Sequence, residues 1–246
     1  MKLNADKCHI LHLGAKNNLY QYYINGIALE CVDAEKDMGV MISKNLKPDT
    51  HINKCVSKAN SMVGMIRRTF TNINKDMFNR LYKVYVRPIL EYCQQIWSPH
   101  LQKDIDEIEK VQRRATKLVK GLENLEYEER LEELKLFRLS DRRRRGDMIT
   151  VYKMINGMTD IDFTTLFKLN TRSNVNMNTR SHQQQISLTH MASMKTDVRR
   201  SFFSQRIIVP WNSLPPTVVN SATIESFKRN YDMLVLNNVS HKSDTI

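Results

Sequence analysis

The chain has 246 residues, and 38 lysines and arginines against 26 aspartates and glutamates give it a formal net charge of +12. A hydrophobic content of 41% is ordinary for a globular protein, and only 7 glycines and 6 prolines argue against a turn-rich β sandwich or barrel. No apolar run approaches the roughly 20 residues of a membrane span, so we expect no membrane partner. Charge this basic favours a polyanion, most often nucleic acid, although a merely basic soluble protein is the alternative.

The four cysteines are widely spaced and form no Cys-x-x-Cys pair: Cys8, Cys31, Cys55 and Cys93. We expect free thiols in a reducing compartment. Because no apolar signal region follows the first residues, we expect an intracellular location, nuclear or cytoplasmic. Cys8, His9 and His12 superficially resemble a metal cluster, but no partner pair follows at zinc-site spacing. We therefore predict neither a metal site nor a cofactor.

Residues 1–46 predict a small β unit. Residues 9–13 alternate or run apolar, and Asn25-Gly26 between two apolar segments is typical of a type I′ hairpin. Residues 36–42 predict one further short strand. A hairpin with one extra strand requires a helix or more sheet to cover its apolar face.

A helical period begins at Asp49. Apolar residues recur at steps of three and four and predict one buried stripe: Ile52, Val56, Ala59, Val63, Ile66 and Phe70. Asn74 is a plausible cap for a second helix, which Pro88 should kink or break because proline lacks the N–H that the helix needs. That helix ends at Trp97-Ser98-Pro99.

A third helix, up to Lys120, carries its acidic residues first and its basic residues last. That order complements the helix dipole, which is a sufficient structural reason for it. Gly121 marks a helix stop. A short helix at 127–134, a run of four arginines and a polar, largely irregular stretch at 156–199 follow, and Thr223 caps a last helix. The elements predict a mainly α chain with a small N-terminal β element, an α+β fold.

Six stretches, in this order, resemble one family. They are Leu3-Asn4-Ala5-Asp6-Lys7-Cys8, Glu35-Lys36-Asp37-Met38-Gly39-Val40, Val86-Arg87-Pro88-Ile89-Leu90-Glu91-Tyr92, Trp97-Ser98-Pro99, Glu109-Lys110-Val111-Gln112-Arg113-Arg114-Ala115 and Trp211-Asn212-Ser213-Leu214-Pro215. Together they resemble the C-terminal part of reverse transcriptases from non-LTR (LINE-type) retrotransposons, of the jockey and CR1-like kind. The resemblance covers nearly the whole chain.

The resemblance implies a function for each segment. Residues 1–46 would be the end of the palm, with Lys7 near the incoming nucleotide. A hairpin around Lys36 and Gly39 would be the primer grip, with Met38 where leucine is usual. Residues 47–122 would be a thumb-like helical bundle that holds the template–primer duplex by its backbone. Residues 123–246 would be the family's basic C-terminal region, whose role is less understood.

The family is an RNA-directed DNA polymerase, but this chain departs from it in lacking the catalytic box, the fingers, the nucleotide-binding segment and any endonuclease domain. The Tyr/Phe-Ala-Asp-Asp box would lie upstream of Leu3 and is not in the sequence. Two-metal phosphoryl transfer needs paired carboxylates, so we expect no catalytic residue here and two magnesium ions only in the full-length family enzyme. No Gly-rich phosphate loop, HExxH or GxSxG motif points to other chemistry. We interpret the chain as a truncated transposable-element polymerase that would not polymerise DNA alone.

We predict that the chain retains nucleic-acid binding through phosphate contacts to an RNA or DNA template–primer duplex. The predicted binding residues are Lys7, Lys36, Gly39, Lys54, Lys58, Arg67, Arg68, Arg113, Arg114 and Lys117. Arg142 and Arg143 form a second, weaker candidate patch. For the cations of the first helix, a solvated helix face is an equally good explanation.

Two other interpretations remain open from the sequence. The amphipathic helices and the aromatic residues Tyr92 and Trp97, if exposed, would suit a helical scaffold module that was reused from a transposon fragment and binds a protein partner. The chain could also be a decayed open reading frame with no selected function. The sequence does not separate these readings.

Overall fold

A computed structural model describes residues 3–14, 16–170, 187–189 and 196–243. The chain divides into two compact units, Met1–Ser140 and Asp141–Ile246. Helices dominate the described residues, and short strands come first in the chain. The predicted fold class, mainly α with a small N-terminal β element, is confirmed.

In its described residues, the first unit begins with a short 3₁₀ helix (Ala5–Lys7), which is followed by six short strands. They are β1 (His9–Ile10), β2 (Tyr23–Ile24), β3 (Ile27–Ala28), β4 (Glu30–Cys31), β5 (Ala34–Asp37) and β6 (Val40–Ser43). β1 pairs with β4 in parallel, whereas β2 with β3 and β5 with β6 form antiparallel hairpins. The predicted Asn25-Gly26 turn is confirmed, with φ of 51° and 77°.

The single strand predicted at 36–42 is wrong. The segment is a hairpin, because the chain reverses at Met38 and Gly39, where φ is 45° and 89°. Positive φ at both central residues is the requirement of a type I′ turn. Glycine meets it without strain, and methionine is an uncommon residue in this conformation.

Six helices and one π-helical turn follow in the first unit. They are α1 (Asp49–Thr69), α2 (Lys75–Leu81), the π turn (Tyr82–Val86), α3 (Arg87–Glu91), α4 (Gln94–Trp97), α5 (Gln102–Thr116) and α6 (Tyr127–Leu134). α1 packs on α5, and the predicted stripe of α1 is buried at Ile52, Ala59, Val63 and Ile66. Val56 and Phe70 are partly buried against the same core.

The second predicted helix is interrupted, as Pro88 indicated. Asn74 caps its start, because the Asn74 Oδ1 accepts the N–H of Met77 at 2.9 Å. The backbone widens into the π turn just before Pro88, where the i−4 hydrogen bond of a regular helix would lack its donor. Left-handed φ of 51° at Cys93 then separates α3 from α4.

α6 belongs to the first unit. Its side chains Tyr127, Leu131 and Leu134 are buried in the same cluster as Val111 of α5. The capping box of Glu126 and Glu129 fixes its start. The structure therefore places the boundary after Ser140, later than the boundary near 122 that the sequence indicated, because α5 ends at Thr116 without ending the core.

The second unit has its own core. Its elements are most of α7 (Leu139–Ile155), then β7 (Lys168–Asn170), β8 (Ser187–Thr189), α8 (Asp197–Ser201), α9 (Phe203–Arg206), α10 (Ile208–Asn212), α11 (Pro216–Val219) and α12 (Ile224–Ser243). Trp211 and Phe227 stack at 6.0 Å between ring centroids in this core. The predicted cap of the last helix is confirmed, since Thr223 Oγ1 accepts the N–H of Ser226 at 3.1 Å.

The stretch at 156–199 is more ordered than predicted where it is described. β7 and β8 form an antiparallel pair, and Leu188 is buried in the second core. The side-chain amide of Asn212 makes two hydrogen bonds to the backbone of Leu188 in β8. Its Oδ1 accepts the N–H of Leu188 at 2.8 Å, and its Nδ2 donates to the Leu188 carbonyl at 3.0 Å. Residues 171–186 and 190–195, on which the rest of that prediction falls, lie outside the described residues.

Candidate nucleic-acid interface

The inner face of α5 is a buried hydrogen-bonded network centred on Gln112. Its Oε1 accepts the hydroxyl of Tyr82 at 2.6 Å, and its Nε2 donates to the Tyr127 hydroxyl at 2.9 Å and to the Phe137 carbonyl at 3.0 Å. Leaving either end of a buried amide without a hydrogen bond costs free energy. These three partners therefore fix the Gln112 side chain. The network ties α5 to the π turn and to α6.

Glu109 extends this network. One carboxylate oxygen accepts the Tyr127 hydroxyl, and the other accepts the N–H of Leu139 at 3.0 Å. Burial, followed by the hydrogen bond to Glu109, raises the pKa of Tyr127 far above its usual range. The Tyr127 hydroxyl therefore stays protonated and donates a hydrogen bond to Glu109. The ring of Tyr127 is thereby held in one position.

Toward the C-terminal end of α5, its outer face carries three exposed cations, and the C-cap residue Lys117 adds a fourth. Lys110, Arg113, Arg114 and Lys117 follow one another at helical spacings of three, one and three, so they leave the helix on one side. The Glu109–Ala115 motif is thus divided, because Glu109 and Gln112 face the interior while its basic residues face outward. Dipole complementarity explains why bases lie at this end of the helix, but not why they share one side.

These cations line a cavity of about 570 Å³, which we call the α5 groove. Its other wall is the segment 123–127, and the buried Arg130 contributes to the lining. Arg130 Nε donates to Thr116 Oγ1 at 3.0 Å, and its Nη1 donates to the Leu125 carbonyl. Arg130 therefore joins the end of α5 to the segment that closes the groove.

Two of the groove arginines are held by neighbours other than carboxylates. The Arg113 guanidinium lies over the Tyr127 ring, 4.4 Å from its centroid. Arg114 Nη1 donates to Asn60 Oδ1 of α1 at 3.0 Å. Neither contact cancels a positive charge, so both side chains are oriented while their charge stays available.

The acidic residues of the groove are engaged locally. Glu126 belongs to the capping box of α6, and Glu123 accepts the N–H of Gly121 at 2.8 Å. Within the described part of the chain, Lys110 pairs with Glu107, whereas no ion pair is found for Arg113 or Lys117. Exposed pairs such as Lys110–Glu107 are weak. The groove therefore keeps a net positive potential.

The structure divides the cations predicted on α1. Arg67 follows Asn60 by about two turns, so it lies on the side of α1 that faces Arg114. Arg67 also lines a smaller cavity of about 140 Å³ together with Lys120 and Glu123, and Glu123 borders the α5 groove as well. Arg67 thus extends the groove.

Lys54, Lys58 and Arg68 are exposed but do not line either cavity. Lys58 precedes Arg67 by about two and a half turns, which puts the two side chains on opposite sides of α1. Lys54 instead contacts the β unit, where its Nζ lies 3.2 Å from the Met41 Sδ. Their assignment as phosphate contacts stays a prediction.

The predicted residues of the β unit lie outside the α5 groove. Lys7 and Lys36 are exposed, and Gly39 is in the β5–β6 turn. The Tyr92 hydroxyl donates to the Met38 carbonyl at 2.9 Å, and a Cβ at Gly39 would lie 3.1 Å from Tyr92 Cε1. The turn is therefore seated on Tyr92, and both its φ and this contact favour glycine.

The second predicted patch is corrected in part. Arg143 is only 4% exposed, so its guanidinium belongs to the interior of the second unit and presents little surface to a duplex. Burial raises the pKa of the nearby Asp147, although Arg206, which donates to it at 2.9 and 3.1 Å, and then Arg143 oppose the rise. Arg142 is half-buried.

Trp97, expected to be exposed, is buried at 3% exposure. Its indole N–H donates to the Tyr92 carbonyl at 2.6 Å, and its ring centroid lies 5.0 Å from that of His51. The apolar surface that a protein partner could use consists instead of other residues. Val84 and Ile96 are each 61% exposed, and Tyr92 is 54% exposed.

Sequence reasoning missed Lys110 and Arg130 as members of the site. The spacing of Lys110 from Arg113 and Arg114 was a usable signal, because the three share one helical side. Arg130 had no such signal, since a return of the chain through 121–126 brings it to α5.

Among the described residues, no helix is both long and apolar enough to cross a membrane, and no group of three or more His, Cys, Asp or Glu side chains is placed to hold a metal ion. Comparisons with protein-family models, with curated proteins and with solved structures find no match for this chain.

Proposed function

We propose that this chain binds a template–primer duplex of RNA or DNA through phosphate contacts in the α5 groove. In this proposal it corresponds to the palm end, thumb and C-terminal region of a non-LTR retrotransposon reverse transcriptase. One observation carries the binding proposal. Lys110, Arg113, Arg114 and Lys117 form a basic side of α5 whose arginines are oriented by neutral partners.

The dimensions of this surface suit a nucleic-acid backbone. From Lys110 to Lys117 the helix rises about 10 Å. One strand of a duplex carries a phosphate about every 3.4 Å of axis, so this length is matched by about three phosphates. Arg67 extends the basic surface beyond Arg114, and about five contacts in all are a reasonable expectation.

The proposal concerns binding and not polymerisation. Phosphoryl transfer in the family requires paired carboxylates that hold two metal ions. The groove instead offers cations, and its two glutamates are engaged by backbone N–H groups. Such a surface can hold a phosphate backbone but supplies no metal ligands of its own.

A salt titration tests the proposal. Fluorescence anisotropy with a labelled primer–template duplex should give a log Kd that changes linearly with log salt, with a slope near ~4.5 for about five phosphates. A flat profile, or no binding at low salt, would contradict it. Lys83→Glu is the matched control, because Lys83 is exposed and does not line the groove. It should leave the slope unchanged, whereas Arg114→Glu should lower it by about one.

A second candidate function is protein binding at the π turn. Val84 and Tyr85 on this turn are 61% and 51% exposed, and Ile96 on α4 is 61% exposed. Exposed apolar side chains are typical of surfaces that bind a partner. A partner that is captured after nuclease treatment, and lost when Val84 and Ile96 are replaced by serine, would support this function. Capture that nuclease abolishes would favour the nucleic-acid proposal.

A further inference from the structure

The α5 groove is more than a flat basic surface. It is an open depression of about 570 Å³ that is lined mostly by charged and polar side chains. Phosphates of a duplex need only an exposed row of cations, because they project from its outside. The concave shape of the groove therefore calls for a further explanation.

The central feature of the groove is a stacked guanidinium. One face of Arg113 lies over the Tyr127 ring, and Tyr127 is itself held by Glu109 and Gln112. Because Arg113 is exposed and lines the groove, its other face is open to a ligand. Arginine planes are a common stacking surface for unpaired bases, and this one is oriented before a ligand arrives.

The neighbours of Arg113 suit the remaining parts of a nucleotide. Arg114, oriented by Asn60, and Lys117 one turn further along α5 are placed to bind a phosphate. Asn124 lines the opposite wall and carries both a donor and an acceptor that match the edge of a base. A planar cation, two phosphate ligands and an amide therefore surround one space.

We propose that the α5 groove binds one unpaired nucleotide, with its base stacked on Arg113 and its phosphate at Arg114 and Lys117. This inference rests on the proposed function, since it concerns the same groove. Bases within a duplex are paired and stacked, so only a single-stranded nucleotide can enter. The chain therefore prefers a duplex with a single-stranded overhang to a blunt one.

The experiment compares three labelled DNA ligands by fluorescence anisotropy. They are a blunt duplex, the same duplex with a short overhang, and the same duplex with an abasic overhang that keeps the phosphates but lacks the bases. Stacking of one base should make the normal overhang bind about tenfold more tightly than the abasic one. Equal affinity for the two overhangs overturns this inference and leaves duplex binding intact. Absence of binding to all three overturns the proposed function as well.

Two variants assign the effect to Arg113. Arg113→Lys keeps the positive charge and removes the planar stacking surface, so it should abolish the preference for the normal overhang over the abasic one. Arg114→Lys is the matched control and should retain the preference. If Arg113→Lys keeps the preference, the base does not stack on Arg113 and the inference is wrong.

Discussion

Individual arginines of the two units have opposite surroundings. In the first unit Arg113 is exposed and lies over an aromatic ring. In the second unit Arg206 pairs with Asp147 at 2.9 Å, and Arg145 Nη2 donates to Asp232 at 2.8 Å. Net charge counts all these side chains alike. Arg113 keeps its charge uncancelled whereas Arg206 does not, so the pairing of each arginine, rather than the total of +12, indicates where a polyanion would bind.

The pairing also separates two contributions to stability. An ion pair with little exposure has lost much of its hydration, so removing one partner leaves an uncompensated charge. A pair near the surface loses little when it is broken. The described residues of the second unit include pairs of both kinds, and the core of the first unit contains the hydrogen-bonded network around Gln112.

The largest expected change in the free energy of unfolding comes from breaking the Asp147–Arg206 pair, whose side chains are 9% and 18% exposed. Asp147→Ala should lower the free energy of unfolding of the second unit by about 3 kcal/mol, because Arg206 stays desolvated without its partner. Urea unfolding followed by Trp211 fluorescence in a Trp97→Phe background reports on this unit alone.

The matched control is Asp232→Ala, at a pair whose side chains are 35% and 28% exposed. Its expected cost is at most about 1 kcal/mol. Equal losses for the two variants would show that burial does not distinguish the pairs.

The next largest effect concerns the α5 groove. The double variant Arg113→Glu with Arg114→Glu should weaken duplex binding by about fiftyfold at 0.1 M salt, since each lost phosphate contact is worth just under tenfold at that concentration. The loss should be equal for all sequences, because phosphate contacts carry no base information. Anisotropy with several unrelated duplexes measures both.

Arg199→Glu with Arg200→Glu changes the net charge by the same amount in the second unit, where both side chains are exposed. This double variant should weaken duplex binding only a few-fold, through the general electrostatic field of the protein. If both double variants weaken binding equally, the chain responds to total charge and the α5 groove is not its binding site.

A smaller effect is expected in the interior of the first unit. Tyr82→Phe removes the hydroxyl that Gln112 Oε1 accepts and leaves a buried acceptor unpaired, at a cost of about 1–2 kcal/mol. Tyr92→Phe removes an exposed hydrogen bond to the Met38 carbonyl and should cost less than about 1 kcal/mol. Chemical unfolding followed by circular dichroism ranks the two, and a reversed order would contradict the network.

The smallest effect is a pH dependence at His51. Its Nδ1 accepts the N–H of Met41 at 3.1 Å, and burial, followed by Lys54, lowers the pKa of His51 below 6.5. The unfolded chain therefore takes up a proton first on acidification. The stability that His51 contributes is present above pH 6.5 and is lost as the pH falls through the pKa of the folded state.

Urea midpoints at about pH 7.5 and about pH 5.5 test this, since the midpoint should fall more on acidification in the natural chain than in a His51→Gln variant. The comparison between the two proteins cancels the contribution of the other six histidines, because both proteins contain them. Identical pH dependence in the two proteins would show that His51 is not held neutral by its neighbours.

Much of the fold followed from local patterns in the sequence. The apolar stripe of α1, the Asn74 cap and the Asn25-Gly26 turn were predicted because each depends on residues within one or two turns of chain. Trp97 and Arg143 could not be placed in this way. Trp97 is buried against His51, which is distant in sequence. Arg143 is buried in the second unit, where no periodic pattern in the sequence indicates its burial.

The residues of the α5 groove also divide into those that local sequence patterns predict and those that they do not. The common side of Arg113, Arg114 and Lys117 is a property of helix geometry and was available from the sequence. The wall formed by 123–127 was not, because a segment after a helix-stopping glycine can turn in many directions. Arg130 and Tyr127 reach α5 only through that return.

The two-sided arrangement of α5 has a consequence for how the chain tolerates substitution. Four positions of the Glu109–Ala115 motif are buried, namely Glu109, Val111, Gln112 and Ala115, and the other three line the groove, namely Lys110, Arg113 and Arg114. An ordinary amphipathic helix keeps a stripe of neutral surface positions that accept almost any residue. In the proposed function every position in these two turns serves either folding or the ligand, so we expect a saturation library to show an unbroken block of intolerance where most surface helices show a periodic one.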